Sequence, residues 1–244
     1  MDLLMNIAER AVIVAAGFGS RLLPITKETP KPLIKVNGKR IIDTIIDALH
    51  DNGIQEIHIV VGHLKELFYE LLKKYQGIHF IENPYYQEYN NLSSLFCARE
   101  YLENAIVLDG DQIIKNGVIL QPYFDASGYC CSWIDSENNG EWILKIEDEK
   151  IIGCDRNGKS TGWQLHSVSF WTKNDAAKLK KHLEEEFLVN RDQSIYWDDI
   201  VIFLHPEDYD LKIKKIASRD LIEIDSLSDL AAVDRSYERI ANEK

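Results

Sequence analysis

The sequence predicts an α/β fold: a mostly parallel sheet flanked by helices, with an antiparallel strand addition in the second half. Two observations predict it. Up to about residue 126, short β-branched runs alternate with stretches whose apolar residues recur at helical spacing, the rhythm of right-handed β–α–β crossovers. Beyond it, strand-like runs follow one another with only turn signals between them, as in antiparallel sheets. At 244 residues the chain fits one domain, 1–244, in two halves of different pattern, about 1–126 and about 127–244.

In order, 11–16 reads as a buried strand and 40–51 as a helix closed by Asn52-Gly53. Residues 57–61 form a second strand, 64–75 a helix, 78–82 a third strand, 91–102 a helix and 105–108 a fourth strand. The second half reads as strands over 128–134, 142–146, 151–155 and 164–172, with turns at Asn138-Asn139-Gly140 and Arg156-Asn157-Gly158. A helix over 174–187 capped by Asn174, a short helix over 196–204, strands over 211–217 and 221–224, and a helix over 227–241 complete the reading. This alternation is the pattern of a Rossmann-like sheet, whose ligands bind at the carboxyl ends of the strands.

Composition narrows the function. Net charge is −12 and hydrophobic content 45%, so nucleic acid is not an expected partner and a full core is. No run of ~18 apolar residues suggests a membrane span, and the N-terminus is too short and acidic for a secretion signal. Cys97, Cys130, Cys131 and Cys154 show no metal-binding spacing and read as reduced thiols of a cytoplasmic protein, monomer or homodimer.

Within this acidic chain, residues 21–40 carry Arg21, Lys27, Lys31, Lys35, Lys39 and Arg40 against Glu28 alone. They follow the first strand and its turn, Ala15-Ala16-Gly17-Phe18-Gly19-Ser20-Arg21. Glycines there let backbone N–H groups approach phosphates. The turn lacks the Gly-Lys-Ser/Thr ending of a P-loop, and Leu22 stands where a dinucleotide fingerprint has its third glycine. Asp109-Gly110-Asp111 ends the fourth strand. This is either a turn, which Asp and Gly favour, or a Mg²⁺ site, since magnesium takes one or two carboxylates plus substrate phosphates. Asp225, before the last helix, is either that helix's cap or a second metal ligand, and Ser226 can serve as the cap instead.

The glycine turn, Thr29-Pro30-Lys31-Pro32-Leu33, Asp109-Gly110-Asp111 and Glu223-Ile224-Asp225-Ser226, in this order, resemble the signature of the sugar-phosphate nucleotidyltransferase superfamily. The resemblance runs from Ala11 to about Asp229. It implies that Ala15, Ala16, Gly17, Gly19 and Ser20 hold a nucleoside triphosphate, with Asp109 in support. It further implies that Arg21 and Lys31 offset charge at the α-phosphate and leaving pyrophosphate, and that Asp111 and Asp225 bind Mg²⁺.

Asn90-Asn91-Leu92-Ser93-Ser94-Leu95 stands where purine- and thymidine-using relatives carry a Gln and a glycine-rich turn. It resembles the cytidylyltransferase branch and places Asn91 and Ser93 near cytosine or ribose, beyond ordinary N-capping. All five tryptophans lie in the second half. Glu141-Trp142 and Tyr196-Trp197-Asp198-Asp199 join aromatic and acid, as a quaternary ammonium requires, and resemble segments of the phosphocholine-specific enzymes. Core packing is the ordinary alternative for any one tryptophan and is expected for Trp171. The expected acceptor set is Trp133, Glu141, Trp142, Tyr196, Trp197, Asp198 and Glu223. The expected reaction is CTP with phosphocholine giving CDP-choline and pyrophosphate. The rivals are 2-aminoethylphosphonate as acceptor, a nucleotide-sugar pyrophosphorylase, and a silent nucleotide sensor.

Overall fold

In a computed structural model, residues 5–137 and 140–242 are described, and the expected turn residues Asn138 and Asn139 lie outside them. The centre of the molecule is strand β1 (Arg10–Ala15), hydrogen-bonded in parallel to β2 (Glu56–Val61) on one side and β4 (Ala105–Asp109) on the other. Strand β3 (Ile78–Glu82) extends the sheet beyond β2, also in parallel. Because side chains alternate along a strand, Ala11, Ile13 and Ala15 enter one core layer, and Val12 and Val14 enter the other.

The first layer is covered by helix α1 (Ile41–Asp51), which buries Ile42, Ile45, Ile46 and Leu49. Each such side chain contributes ~1.5–3 kcal/mol on leaving water. Gly53, at φ +83°, closes the helix as the sequence predicts. Residues 65–73 form a 3₁₀ helix rather than the expected α-helix. Only Phe68 and Leu71 are buried there, and a three-residue period puts both on one face. The second layer is covered by α2 (Leu92–Cys97), shorter than expected, and α3 (Lys173–Glu184). Thr172, not Asn174, caps α3, its side chain accepting from the Asp175 N–H. The helix then continues as a π-helical stretch, Glu185–Asn190.

The second half departs from a simple antiparallel addition. Strand β5 (Gln112–Ile114) precedes β6 (Gly128–Ile134), β7 (Ile143–Glu147), β8 (Lys150–Asp155) and the long β9 (Gly162–Trp171); β10 (Lys212–Lys215) and β11 (Leu221–Glu223) come late. Strand β9 lies antiparallel to β4 through Val168–Trp171 and so joins the addition to the central sheet. Pairings β9–β7, β7–β8, β8–β10, β10–β6 and β6–β9 close on themselves as a small ring. The β6–β10 contact is parallel. A two-stranded unit, β5 with β11, sets Gln112 opposite Glu223. This pairing, between segments about a hundred residues apart, brings the two acidic motifs together.

The last helices are α4 (Trp197–Asp199), which runs into a π-helical turn over Ile200–Leu204, then α5 (Leu227–Val233) and α6 (Glu238–Asn242). Leu227 and Leu230 of α5 pack with Leu22, Ile34, Ile41 and Ile113 beneath the basic loop. No helix among the described residues is long and apolar enough to cross a membrane.

Candidate active site

The carboxyl ends of β1 and β4 open into a cleft of about 380 Å³. Gly17, Gly19, Ser20, Arg21, Lys31, Asn91, Ser93, Asp109, Asp111 and Asp225 all line it, as does Ala15. Ala16 does not: it is fully buried, and its carbonyl accepts from the His63 N–H. Gly19 takes φ +67°, and a β-carbon there would stand 3.0 Å from the Thr26 methyl and 3.3 Å from the Lys31 Cβ. Glycine therefore allows both the turn and its closeness to Lys31. Gly110 acts similarly: a β-carbon would meet Ala15 Cβ and Pro32 Cγ at 3.1 Å. The Asp-Gly-Asp turn can press against Thr29–Leu33 because its middle residue has no side chain.

The charged groups form one network. Lys31 Nζ donates to Asp111 Oδ2 at 2.7 Å and to Asp225 Oδ1 at 3.0 Å, and Arg21 donates to the same Asp225 oxygen at 2.8 Å. Burial works to lower the Lys31 pKa, but Asp111 and then Asp225 outweigh it and hold the ammonium above its ordinary range. Asp109 and Glu223 are pushed well above the usual carboxylate range, first by burial and then by neighbouring acids, Asp111 foremost. Asp225 is not the helix cap. Ser226 caps α5, and Asp229 reaches back to the Ser226 N–H in a capping box.

Asp111, Glu223 and Asp225 offer carboxylate oxygens that lie within 4.8 Å of one another. Asp111 Oδ1 is buried without a hydrogen-bond partner among the described residues. A hard oxygen set with one orphaned acceptor suits Mg²⁺. Glu223, expected at the acceptor, thus stands with the two metal candidates, carried there by its register opposite Gln112.

At the start of α2, Asn91 and Ser93, expected near cytosine or ribose, line the cleft wall and also have structural duties. Asn91 Oδ1 accepts from the Trp197 N–H at 3.0 Å, which leaves Nδ2 without a partner among the described residues. Ser93 is fully buried, its hydroxyl held between Asn83 and Asn90. Tyr86, Tyr89 and Asn90, which sequence reasoning missed, complete the wall.

The aromatic acceptor set is not brought together. Trp197 is 1% exposed and stacks on Tyr129 at 5.8 Å, with Trp171 edge-on at 5.9 Å. Asp198 is buried beside Tyr129, and burial pushes its pKa up to about 7. Both belong to the core, because the helical turn from Tyr196 rotates positions 197 and 198 inward. Trp133 is exposed and packs against Trp163, away from the cleft-lining residues. Trp142 does meet Tyr196, at 5.8 Å, and Tyr196 lines the cleft. Trp142 already has a cationic partner: the Arg156 guanidinium lies 4.9 Å from the Trp142 ring and 4.1 Å from that of Phe203, and pairs with Asp199.

A second cavity of about 260 Å³ shares Asp225 with the cleft. Glu141, Glu223, Asp225 and Asp229 line it with Ser132, Gln164 and His166, and among the described residues no aromatic ring other than that imidazole lines it. Ser132 and His166 meet at 2.8 Å, and burial lowers the His166 pKa to about 4, so the ring is neutral. Burial raises the Glu141 pKa. Gln164 and His166, two apart on β9, were the available sequence signal: alternate polar residues mark one strand face.

Known proteins resemble this chain in sequence and in fold. Residues 10–125 match the family model described as nucleotidyl transferase. The 2-aminoethylphosphonate cytidylyltransferase of Lancefieldella rimae is 35% identical over 93% of this chain and 92% of its own length. The choline-phosphate cytidylyltransferase of Streptococcus pneumoniae is 32% identical over 90% of this chain and 94% of its own length. The solved structure of the CTP:phosphocholine cytidylyltransferase from Streptococcus pneumoniae covers 95% of this chain and 98% of its own at a TM-score of 0.85 and 33% identity. An inositol-1-phosphate CTP transferase from T. maritima shares the fold at a TM-score of 0.77 and 18% identity. At 35% and 32% identity over nine-tenths of its length to two such enzymes, the chain belongs to the nucleotidyltransferase family, among the cytidylyltransferases.

Proposed function

We propose that this protein transfers CMP from CTP to a small acceptor bearing a phosphonate or phosphate at one end and a primary ammonium at the other, 2-aminoethylphosphonate being the type. The observation that carries this reading is the polarity of two adjoining cavities. The cleft with Arg21 and Lys31 suits phosphates. The cavity beyond Asp225, lined by four carboxylates and no aromatic box, suits a hydrogen-bonding cation. A quaternary ammonium has no N–H to donate and favours aromatic faces, and here Arg156 occupies the faces of Trp142 and Phe203. The relative at 35% identity carries the name of an aminoethylphosphonate enzyme.

The acceptor oxygen attacks the α-phosphorus of CTP, the new P–O bond forms, and pyrophosphate leaves with the electron pair of the bond that breaks. No general base is needed, because the acceptor oxyanion is largely ionised near neutral pH. Catalysis is positioning and charge neutralisation. Lys31 and Arg21 supply positive charge, and Gly17 to Ser20 supply backbone N–H groups. Asp111, Glu223 and Asp225 would hold Mg²⁺, which when bound supplies Lewis-acid charge against the triphosphate.

A second reading keeps phosphocholine as acceptor. It is favoured by the Trp142–Tyr196 contact, which sets two aromatic rings together at the cleft edge. Competition between equal 2-aminoethylphosphonate and phosphocholine for limiting CTP, read by ³¹P NMR, tests the proposal. The CMP phosphonate should dominate, and a dominant CDP-choline signal overturns the acceptor assignment.

A further inference from the structure

Away from both cavities, α3 and the turn after the π-helical Ile200–Leu204 segment bring two imidazoles and a carboxylate together. His182, His205 and Asp208 offer ligand atoms that lie within 4.8 Å of one another. Glu186, one helical turn beyond His182, adds a second carboxylate, with Oε1 3.6 Å from His205 Nε2. We infer that His182, His205 and Asp208, with Glu186 as the fourth donor, form a binding site for a divalent transition-metal ion of the Zn²⁺ class, separate from the catalytic acids.

Several observations point the same way. The His205 Nε2 atom is buried without a hydrogen-bond partner among the described residues. Such an orphan costs stability unless something else satisfies it. His182 Nδ1 meets the Tyr209 hydroxyl at 2.8 Å. When that nitrogen donates to the hydroxyl, Nε2 keeps its lone pair on the side where Asp208 Oδ2 stands 3.4 Å away. Metal-binding histidines are commonly oriented this way, through the nitrogen that does not bind the ion. Glu186 is held similarly: its Oε2 accepts from Asn190 Nδ2 at 2.9 Å. Two imidazoles and two carboxylates form a mixed nitrogen–oxygen set that suits Zn²⁺, Co²⁺ or Ni²⁺ over Mg²⁺.

The two rings stack at 3.8 Å with their planes 7° apart, so one ion cannot lie in both planes as they stand. Binding requires one ring to turn. His205 is the ring free to do so, since Tyr209 fixes His182 and Glu186 is the only charged group within ion-pair distance of His205 among the described residues. None of the four residues lines the nucleotide cleft or the acidic cavity. The role is therefore structural: the ion would clamp the end of α3 to the turn after Leu204, behind the wall that carries Tyr196.

The test uses the full chain, stripped of metal and kept in excess Mg²⁺ so that Asp111, Glu223 and Asp225 do not compete for the probe. Co²⁺ is titrated in, its visible ligand-field absorption is recorded, and Zn²⁺ is then added to displace it. One equivalent should bind, be displaced by Zn²⁺ and raise the melting temperature. His205→Ala should abolish the band while CMP transfer persists. Tyr209→Phe, which keeps every ligand, should weaken binding by ~10–100-fold. No band in the native protein, or the same band in His205→Ala, overturns the inference.

Discussion

Lys31→Met removes one charge and keeps the aliphatic stem that packs under Gly19. The lysine is largely buried and its two carboxylate contacts, at 2.7 and 3.0 Å, are the shortest links between the Asp-Gly-Asp turn and Asp225. A hydrogen bond to a charged group contributes ~1.5–3 kcal/mol, and the Asp225 contact is discounted because that side chain is partly exposed. Loss of charge stabilisation in the transition state should therefore cost about 3–4 kcal/mol, or ~10²–10³ in kcat. Without the ammonium, Asp111, Asp225 and Glu223 face one another with only the exposed Arg21 nearby. The metal-free protein should lose ~1–3 kcal/mol, a fall in Tm of roughly 2–12 °C at this chain length. Mg²⁺ should restore more of that loss in the variant than it adds to the parent protein. The assays are steady-state pyrophosphate release and thermal melts with and without Mg²⁺. A kcat within twofold of the parent would refute the role assigned to Lys31.

Gly110→Ala should cost about 1–3 kcal/mol of stability and slow turnover, because its methyl meets Ala15 and Pro32 at 3.1 Å; urea unfolding with initial rates checks both. Trp197→Ala should destabilise by ~3–5 kcal/mol, as a core residue does, and denaturant midpoints separate this from a mere rise in acceptor KM. Asp198 has its folded pKa raised to about 7 by burial, so the folded state binds more protons than the unfolded state between about pH 4 and 7. Its contribution to stability therefore falls as pH rises through that window, and Asp198→Asn should flatten the fall, as melts across a pH series would reveal. Glu141→Gln should raise the acceptor KM by ~10-fold and leave the CTP KM unchanged, because Glu141 lines the acidic cavity and not the cleft.

Much of the site was legible because it is local. The glycine turn, Lys31, Asp111 and Asp225 each sit at a strand end or loop whose residue types serve one purpose, so the sequence brings the right groups to the cleft. Glu223 lines the acidic cavity, and its nearness to Asp111 as well was not legible, because it depends on the β5–β11 pairing, a register no local pattern reports. Trp197 and Asp198 were misread because an aromatic–acid pair looks the same in a ligand cage and in a core; the phase of a three-residue helix decides between them. Arg156 carried no signal, since its stacking on Phe203 joins segments about fifty residues apart. The parallel half of the sheet followed from periodicity. The ring in the second half did not, because closure depends on which edges meet rather than on the strands themselves.

Both substrates are read out together by pyrophosphate release in Mg²⁺, with CTP, UTP, dTTP, ATP and GTP each crossed against 2-aminoethylphosphonate, phosphocholine and glucose 1-phosphate. Turnover should occur with CTP alone among the nucleotides and be fastest with 2-aminoethylphosphonate. Turnover with glucose 1-phosphate, or none with CTP and either amine acceptor, would contradict this expectation.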